Sequence, residues 1–319
     1  MAAAALSPPA PALASALAPA SAPAGTGGAG WRAQAAMLPD GRRLHLHHGP
    51  IDLVVEAFGP EPEIRAALAQ AEARFASVLD ALVAELPRLR APLPHAAPPA
   101  LSGPVAGRML AACLPHAERF VTPMAAVAGA VADEVLAAMT AGRSLTRAYA
   151  NNGGDAAIWL APGAAMRVAL GAPDGVTGGR AEIRAGDAAR GVATSGWRGR
   201  SHSLGIADAV TVLARTAAAA DVAATLIANA VDLPGHPAIR RGPARAEAPD
   251  SDLGDRLVTL GVGPLTPDEA EAALDAGLAV AEDMRARGLV EAAALTLAGR
   301  TRIAGAPRLA GPREERPKP

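Results

Sequence analysis

Tyr149-Ala150-Asn151-Asn152-Gly153-Gly154-Asp155 is the stretch on which the reading of the fold turns. An apolar run that ends in Asn-Gly-Gly-Asp is turn chemistry. Glycine supplies backbone freedom, and Asn and Asp side chains bond their own backbone. One strand is therefore expected to close here and the next to open at Asp155. Two later segments share this polarity in a chain otherwise dominated by Ala, Leu, Val and Arg. They are Gly191-Val192-Ala193-Thr194-Ser195-Gly196-Trp197-Arg198-Gly199-Arg200 and the run from Ala207 through Asp208 and Leu213 to Asp221 and Thr225. Hydroxyls, carboxylates and bare N–H groups on Gly-rich turns suit phosphates and a hard cation.

Working outward, Leu44-His45-Leu46-His47 alternates apolar and polar, Gly49-Pro50 marks a turn and residues 51–55 are apolar except for Asp52, which predicts a hairpin. Ile64, Leu68, Ala71, Phe75, Val78 and Leu82 recur at helical spacing, predicting a helix over 62–86 that ends before Pro87. Residues 87–107 read as an extended connection. A second helix spans 120–139, with Thr122 as N-cap and Pro123 in its first turn. Residues 155–160 and 166–170 flank Pro162-Gly163 as a hairpin-like pair, and 181–184 and 209–214 read as further strands. A helix covers 218–231 and a linker 234–254. Thr266-Pro267-Asp268-Glu269 is a capping box that opens a helix running to about Arg287 and stopping at Gly288. Residues 292–297 and 301–304 form a last hairpin about Gly299. Helices and hairpins without regular βαβ alternation predict an α+β fold, mixed or antiparallel sheets packed with helices. The division expected is a disordered Ala/Pro-rich leader over 1–33, one domain over 34–305 and a flexible tail over 306–319.

Composition narrows the function. The formal net charge of the 319 residues is −1, so no global field recruits nucleic acid or acidic lipid. Aromatics make up 2%, too few for a base-stacking platform. Cys113 is the sole cysteine, which excludes an internal disulfide and a thiolate zinc site. No charge-free apolar run of membrane-spanning length stands out, and the leader lacks the charged start of a signal sequence, so a cytoplasmic protein is expected.

Asn151-Asn152-Gly153-Gly154-Asp155, Ala193-Thr194-Ser195-Gly196-Trp197 and Gly205-Ile206-Ala207-Asp208-Ala209-Val210-Thr211-Val212-Leu213-Ala214 together resemble an uncharacterised ApbE-like family. The runs 122–130 and 218–229 extend the likeness, which covers roughly 40–305. More distantly, Gly153-Gly154-Asp155, Thr194-Ser195-Gly196, Val210-Thr211-Val212 and the stretch from Asp221 to Thr225 resemble ApbE itself, the FAD:protein FMN transferase. That resemblance implies an ApbE-like fold and magnesium held by the residues matching Asp221 and Thr225 beside the pyrophosphate of FAD or another flavin. It also implies a Gly-Gly-Asp segment lining the nucleotide site and a possible protein acceptor. The transferases' His-x-x-Asp-Pro-x-Thr-Gly segment has no match in 197–205, where the Asp-Pro and Thr-Gly elements are missing. A non-catalytic cofactor-binding protein is the alternative, and the family's links to one-carbon metabolism leave room for a different cofactor.

The residues carry two readings each. Asp221 and Thr225 stand four apart on one helix face and suit Mg2+, or Asp221 is its helix's N-cap and Thr225 a surface residue. Asn152, Gly153, Gly154 and Asp155 bind a cofactor or only close a turn. Thr194, Ser195 and Gly196 offer hydroxyls and N–H groups, Trp197 a ring to stack on, and Arg198 and Arg200 forks for phosphate oxygens. The bland reading is a basic turn with Trp197 over the core. Asp208 is a second acidic group or a strand-edge turn residue. His45 and His47 share one strand face, His202 is the histidine nearest the motifs, and Cys113 reads as packing. The function expected is Mg2+-assisted binding of a phosphorylated, flavin-type ligand, with nucleotidyl-type transfer if the protein is an enzyme.

Overall fold

Strand alternation and helical spacing build two layers in the computed structural model, which describes residues 32–94, 97–170, 179–305 and 309–310. The expected leader and tail lie outside these, apart from Arg32, Ala33, Leu309 and Ala310. The strands in chain order begin with β1 (Gln34–Met37), β2 (Leu44–His48), β3 (Ile51–Phe58), β4 (Arg147–Asn152) and β5 (Asp155–Leu160). They continue with β6 (Ala165–Leu170), β7 (Gly179–Arg184), β8 (Gly191–Ser195), β9 (Ala209–Ala214), β10 (Ile239–Pro243) and β11 (Leu257–Val262). The last are β12 (Ala292–Leu297), β13 (Arg300–Gly305) and β14 (Leu309–Ala310). The helices are α1 (Glu61–Phe75), α2 (Val78–Leu89), α3 (Pro104–Cys113), α4 (Val127–Thr140), α5 (Ala217–Ala230), α6 (Ala244–Glu247) and α7 (Pro267–Ala286).

Nine strands form one sheet in the order β1-β2-β3-β4-β5-β8-β9-β12-β13, with every neighbouring pair antiparallel. On one face, α1, α4, α5 and α7 lie side by side. Leu46, Leu53, Val55, Ala150, Val210, Val212 and Leu295 meet them in the main core. On the other face a three-stranded sheet, β14-β7-β6, covers Tyr149, Ile158, Leu160, Val192 and Leu213. The architecture is α+β, as expected. The hairpin at 44–58, the strands β7 and β9, α5, and the last hairpin about Gly299 also stand where the sequence places them.

Several expectations fail. The helix over 62–86 is two helices: the chain breaks at Ala76-Ser77, and Phe75 and Val78 are both buried across the break, which hides it from a periodicity test. Nor does Pro87 end the second helix. It sits in the last turn of α2, and the carbonyl it leaves without an N–H belongs to Val83, which is exposed to water. The connection over 87–107 already contains the start of α3, where the Glu85 carboxylate accepts the N–H groups of Ser102 (2.7 Å) and Gly103 (2.9 Å). Beyond Pro162-Gly163 the chain leaves the sheet. β6 pairs with β7, and Met166 and Val168 pack over the face bearing Ile158 and Leu160 instead of extending its edge. The expected linker over 234–254 holds β10 and α6, and Leu309 and Ala310, expected in a flexible tail, pair with β7.

The helix expected over 120–139 opens as a 3-10 turn at Pro123–Ala126. Thr122 does not cap it; its hydroxyl donates to Asp252 at 2.5 Å. Residues 123–140 are long and apolar enough to cross a membrane by length and composition, although no such run stood out in the sequence. In the fold this stretch packs against α1, α3, α5, β4 and β5.

Candidate functional site

The three polar segments converge at one end of the large sheet. Asn152 and Asp155 pair across the β4–β5 turn, with Gly153 at φ +65° and Gly154 at φ +122°. The two asparagines serve structure. Asn151 Oδ1 accepts the Gly154 N–H at 2.9 Å, and Asn152, buried, donates from Nδ2 to the Ala128 carbonyl at 3.2 Å. Gly153 suits its positive φ, and a Cβ there would lie 1.8 Å from Arg200 Nη2, the movable tip of an exposed side chain. The Arg200 guanidinium thus lies on the turn, and its charge reaches Asp155.

Asp155 shares the helix-side face of β5 with Ala157. Its Oδ1 accepts the Thr194 N–H at 3.2 Å. Burial pushes its carboxyl up to about 7, against the lowering pull of that N–H and of Arg200. Asp221, on α5, faces it. Burial, and next the charge of Asp155, hold the Asp221 carboxyl well above the usual range, while the Gly129 and Ala128 N–H groups oppose the shift and Asp133 adds to it. Both aspartates keep a strip of solvent exposure although protein surrounds most of each carboxylate.

Asp221 is not the N-cap of its own helix, which corrects that alternative. Thr216 holds that place, its hydroxyl accepting the Ala219 N–H at 3.1 Å. Asp221 instead accepts the Gly129 N–H at 3.0 Å, in the first turn of α4. Asp133 of α4 returns the contact, its two oxygens accepting the Ala217 and Ala218 N–H groups at 2.9 Å each. Each helix thus caps the other where they cross. A Cβ on Gly129 would stand 2.2 Å from the Ala217 carbonyl oxygen, so the crossing needs that glycine. Thr225 is partly exposed on the Asp221 side of α5, and its hydroxyl has no protein partner among the described residues.

Other expected site residues separate. The Thr194 side chain lies on the far face of the sheet, bonded to the Thr211 hydroxyl at 2.9 Å, so only its N–H reaches Asp155. Ser195, one residue on, belongs to the helix side. Gly196 packs on the Asp208 backbone, where a Cβ would meet its carbonyl oxygen at 2.5 Å. Trp197 does not cover the core. It is half-buried, its Nε1 donates to Asp208 at 3.3 Å, and Arg198 lies over its ring at 4.7 Å. Arg198 is drawn away from the carboxylate pair by the same Asp208, to which its Nε donates at 2.7 Å. Asp208 is therefore a tie and not a third acid of the pair. His202 has no acidic partner among the described residues. His45 bonds Asp52 at 2.8 Å and stacks on His47, on β2 at the other end of the strand order. Cys113 is buried, its Sγ 3.5 Å from the Thr122 carbonyl, and burial pushes its thiol up, so it is packing. Among the described residues no three His, Cys, Asp or Glu groups are placed to hold a metal ion by themselves.

The sequence reading missed Asp133 and the backbone of Ala128 and Gly129. Asp133 left a signal shared with Glu134: two adjacent carboxylates inside an otherwise apolar helix.

An antiparallel sheet flanked by helices on one face, with two aspartates brought together at its end, defines an α+β protein with an acidic, turn-lined site. The chain belongs to the family described as AbpE bacteria, whose model matches residues 35–303. No curated protein matches the chain.

Proposed function

We propose that the protein has an ApbE-like fold and binds a phosphorylated, flavin-type cofactor with magnesium at the Asp155–Asp221 end of the sheet. The observation that supports this reading is the approach of two carboxylates whose charges repel, one from a hairpin and one from a helix distant from it in sequence. Buried carboxylates that raise one another's affinity for protons are relieved by a cation. The donors are hard oxygens: Asp221, Asp155 and the Thr225 hydroxyl. Two carboxylates are few for a closed protein cage but fit Mg2+, which keeps sites for water and phosphate oxygens. The ion would supply charge neutralisation for a diphosphate. Arg200, on the Gly153 turn, places a guanidinium at the rim, and the Ser195 hydroxyl is on the same side of the sheet.

Binding without transfer is favoured over catalysis by two observations. Arg198 is held away from the carboxylate pair by Asp208 and Trp197, and His202 has no orienting acid among the described residues. The test is binding of FAD, read by flavin fluorescence, with and without Mg2+. Wild type is expected to bind at least tenfold more tightly with the ion. Asp221→Asn keeps an oxygen for the Gly129 N–H, so its melting temperature should stay near that of wild type while the Mg2+ effect is lost. Equal binding by both proteins, with or without the ion, refutes the metal assignment.

A further inference from the structure

A second cleft opens at the same end of the sheet. It is lined by Arg198, Asp208, Val262, Leu265, Leu297 and Ala298, with the Gly263-Pro264 backbone between. From β5 to β12 the order runs through β8 and β9, so strand spacing puts this cleft on the order of 14 Å from the carboxylate pair. It is a half-open groove of about 230 Å³. Pockets for drug-sized ligands are roughly 300–1,000 Å³. This one suits a single ring with a head group and is too small for a dinucleotide.

The cleft is built around Asp208, whose side chain is 9% exposed. Oδ1 accepts from Trp197 Nε1 (3.3 Å) and Arg198 Nε (2.7 Å), and Oδ2 accepts the Ala298 N–H at 2.7 Å. Arg198 is therefore fixed through Nε and through its stacking on Trp197, yet its side chain is 50% exposed and its two Nη groups have no protein partner among the described residues. A guanidinium held by one edge presents the other edge as a preformed fork for a carboxylate. The accessible apolar part of the lining is Val262 and Leu265, both partly exposed, with Leu297 buried beneath. Ala298, in the turn, is the only non-glycine residue at positive φ (49°) among those described. Leu297 pairs with Arg300, so Ala298 and Gly299 (φ +75°) are the two central residues of a hairpin turn of the type that takes positive φ at both. A plain surface ion pair needs no apolar wall.

We infer that this cleft binds a small carboxylic acid with an apolar, ring-sized body. The carboxylate pairs with the Arg198 Nη groups and the body lies on Val262 and Leu265. The site is independent of the cofactor reading above. Benzoate is the probe, titrated into the full-length 15N-labelled protein. The reporter is the Trp197 indole N–H resonance, assigned by its loss in Trp197→Phe. A saturable shift is expected. Binding should weaken at least tenfold for benzamide, which keeps the shape and loses the charge, and at least tenfold in Arg198→Met. Val262→Trp blocks the opposite wall without touching Asp208, and should weaken benzoate equally even if Arg198→Met is poorly folded. Asp155→Asn should bind benzoate as wild type does. The inference falls if no saturable shift occurs, if benzamide binds as benzoate does, or if Val262→Trp binds as wild type does. It falls also if Asp155→Asn abolishes binding, which would put benzoate at the carboxylate pair.

Discussion

Helix α7 and the crossing of α4 with α5 meet the same need by opposite means. The first turn of any helix leaves N–H groups without intrahelical partners. At α7 the partners are local. Thr266 Oγ1 accepts the Glu269 N–H at 3.3 Å, and Glu269 Oε2 accepts the Thr266 N–H at 2.7 Å, at the protein surface. At the crossing the partners are remote in sequence: Asp133 reaches Ala217, 84 residues away, and Asp221 reaches Gly129, 92 residues away. A local box stabilises its helix wherever the helix lies. Reciprocal caps exist only when both helices are in place, so they tie the crossing together and place Asp221 opposite Asp155.

The crossing should therefore be the more fragile of the two. Gly129→Ala is expected to have the largest effect, because its Cβ would press on the backbone of Ala217 and Ala218, the very residues Asp133 caps. Overpacking against backbone costs on the order of 3 kcal/mol, read as a lower urea midpoint. A loss too small to measure would show that the helices separate freely and that the contrast with α7 is wrong. Asp133→Ala comes next. It leaves two N–H groups of buried residues without their acceptor, at a cost of about 2 kcal/mol. Asp133→Asn, which retains one accepting oxygen, should recover part of that loss.

The same contrast explains what could be read from the chain. The box at Thr266, the stop at Gly288 (φ +70°) and the Asn-Gly-Gly-Asp turn are written in adjacent residues, and each stands where the sequence predicts. Strand alternation was equally legible in Leu44-His45-Leu46-His47. The break at Ala76-Ser77 was not, since Phe75 and Val78 keep helical spacing across it. Nor was the stacking of β6 and β7 on the sheet face, because a turn at Pro162-Gly163 does not say whether the next strand pairs with an edge or covers a face. In the site, the sequence named Asp155, Asp221 and Arg200 but could not divide Arg198 from Arg200. Both follow the same turn, and only the tertiary position of Asp208 sends one to each side. Asp133 was legible as one of two adjacent carboxylates in an otherwise apolar helix, but not as the cap of a helix 84 residues on.

Thr266→Ala probes the local side. It should cost about 1 kcal/mol, less than Asp133→Ala, because the N–H it frees is near water. A cost equal to that of Asp133→Ala would erase the distinction between local and remote caps.

Acid separates the two regions with the smallest effect. The Glu269 carboxyl is held down to about 2, first by its bond with His236 and then by the Thr266 N–H and hydroxyl. Asp133 is shifted the other way: burial raises its carboxyl above the ordinary aspartate range, against the pull of the Ala218 and Ala217 N–H groups. The signs follow from linkage. With a folded value below the ordinary 4.5, Glu269 contributes stability that is full above that pH. The contribution declines as the unfolded chain takes up the proton, and it is gone once pH falls through about 2. The difference in melting temperature between wild type and Glu269→Gln should therefore be constant near neutrality and shrink as pH falls below about 4.5. Asp133, with a raised folded value, contributes no such acid-labile term, so the gap between wild type and Asp133→Asn should not shrink over the same range. A gap that closed in acid for Asp133→Asn and stayed open for Glu269→Gln would reverse the assignment of buried and surface caps.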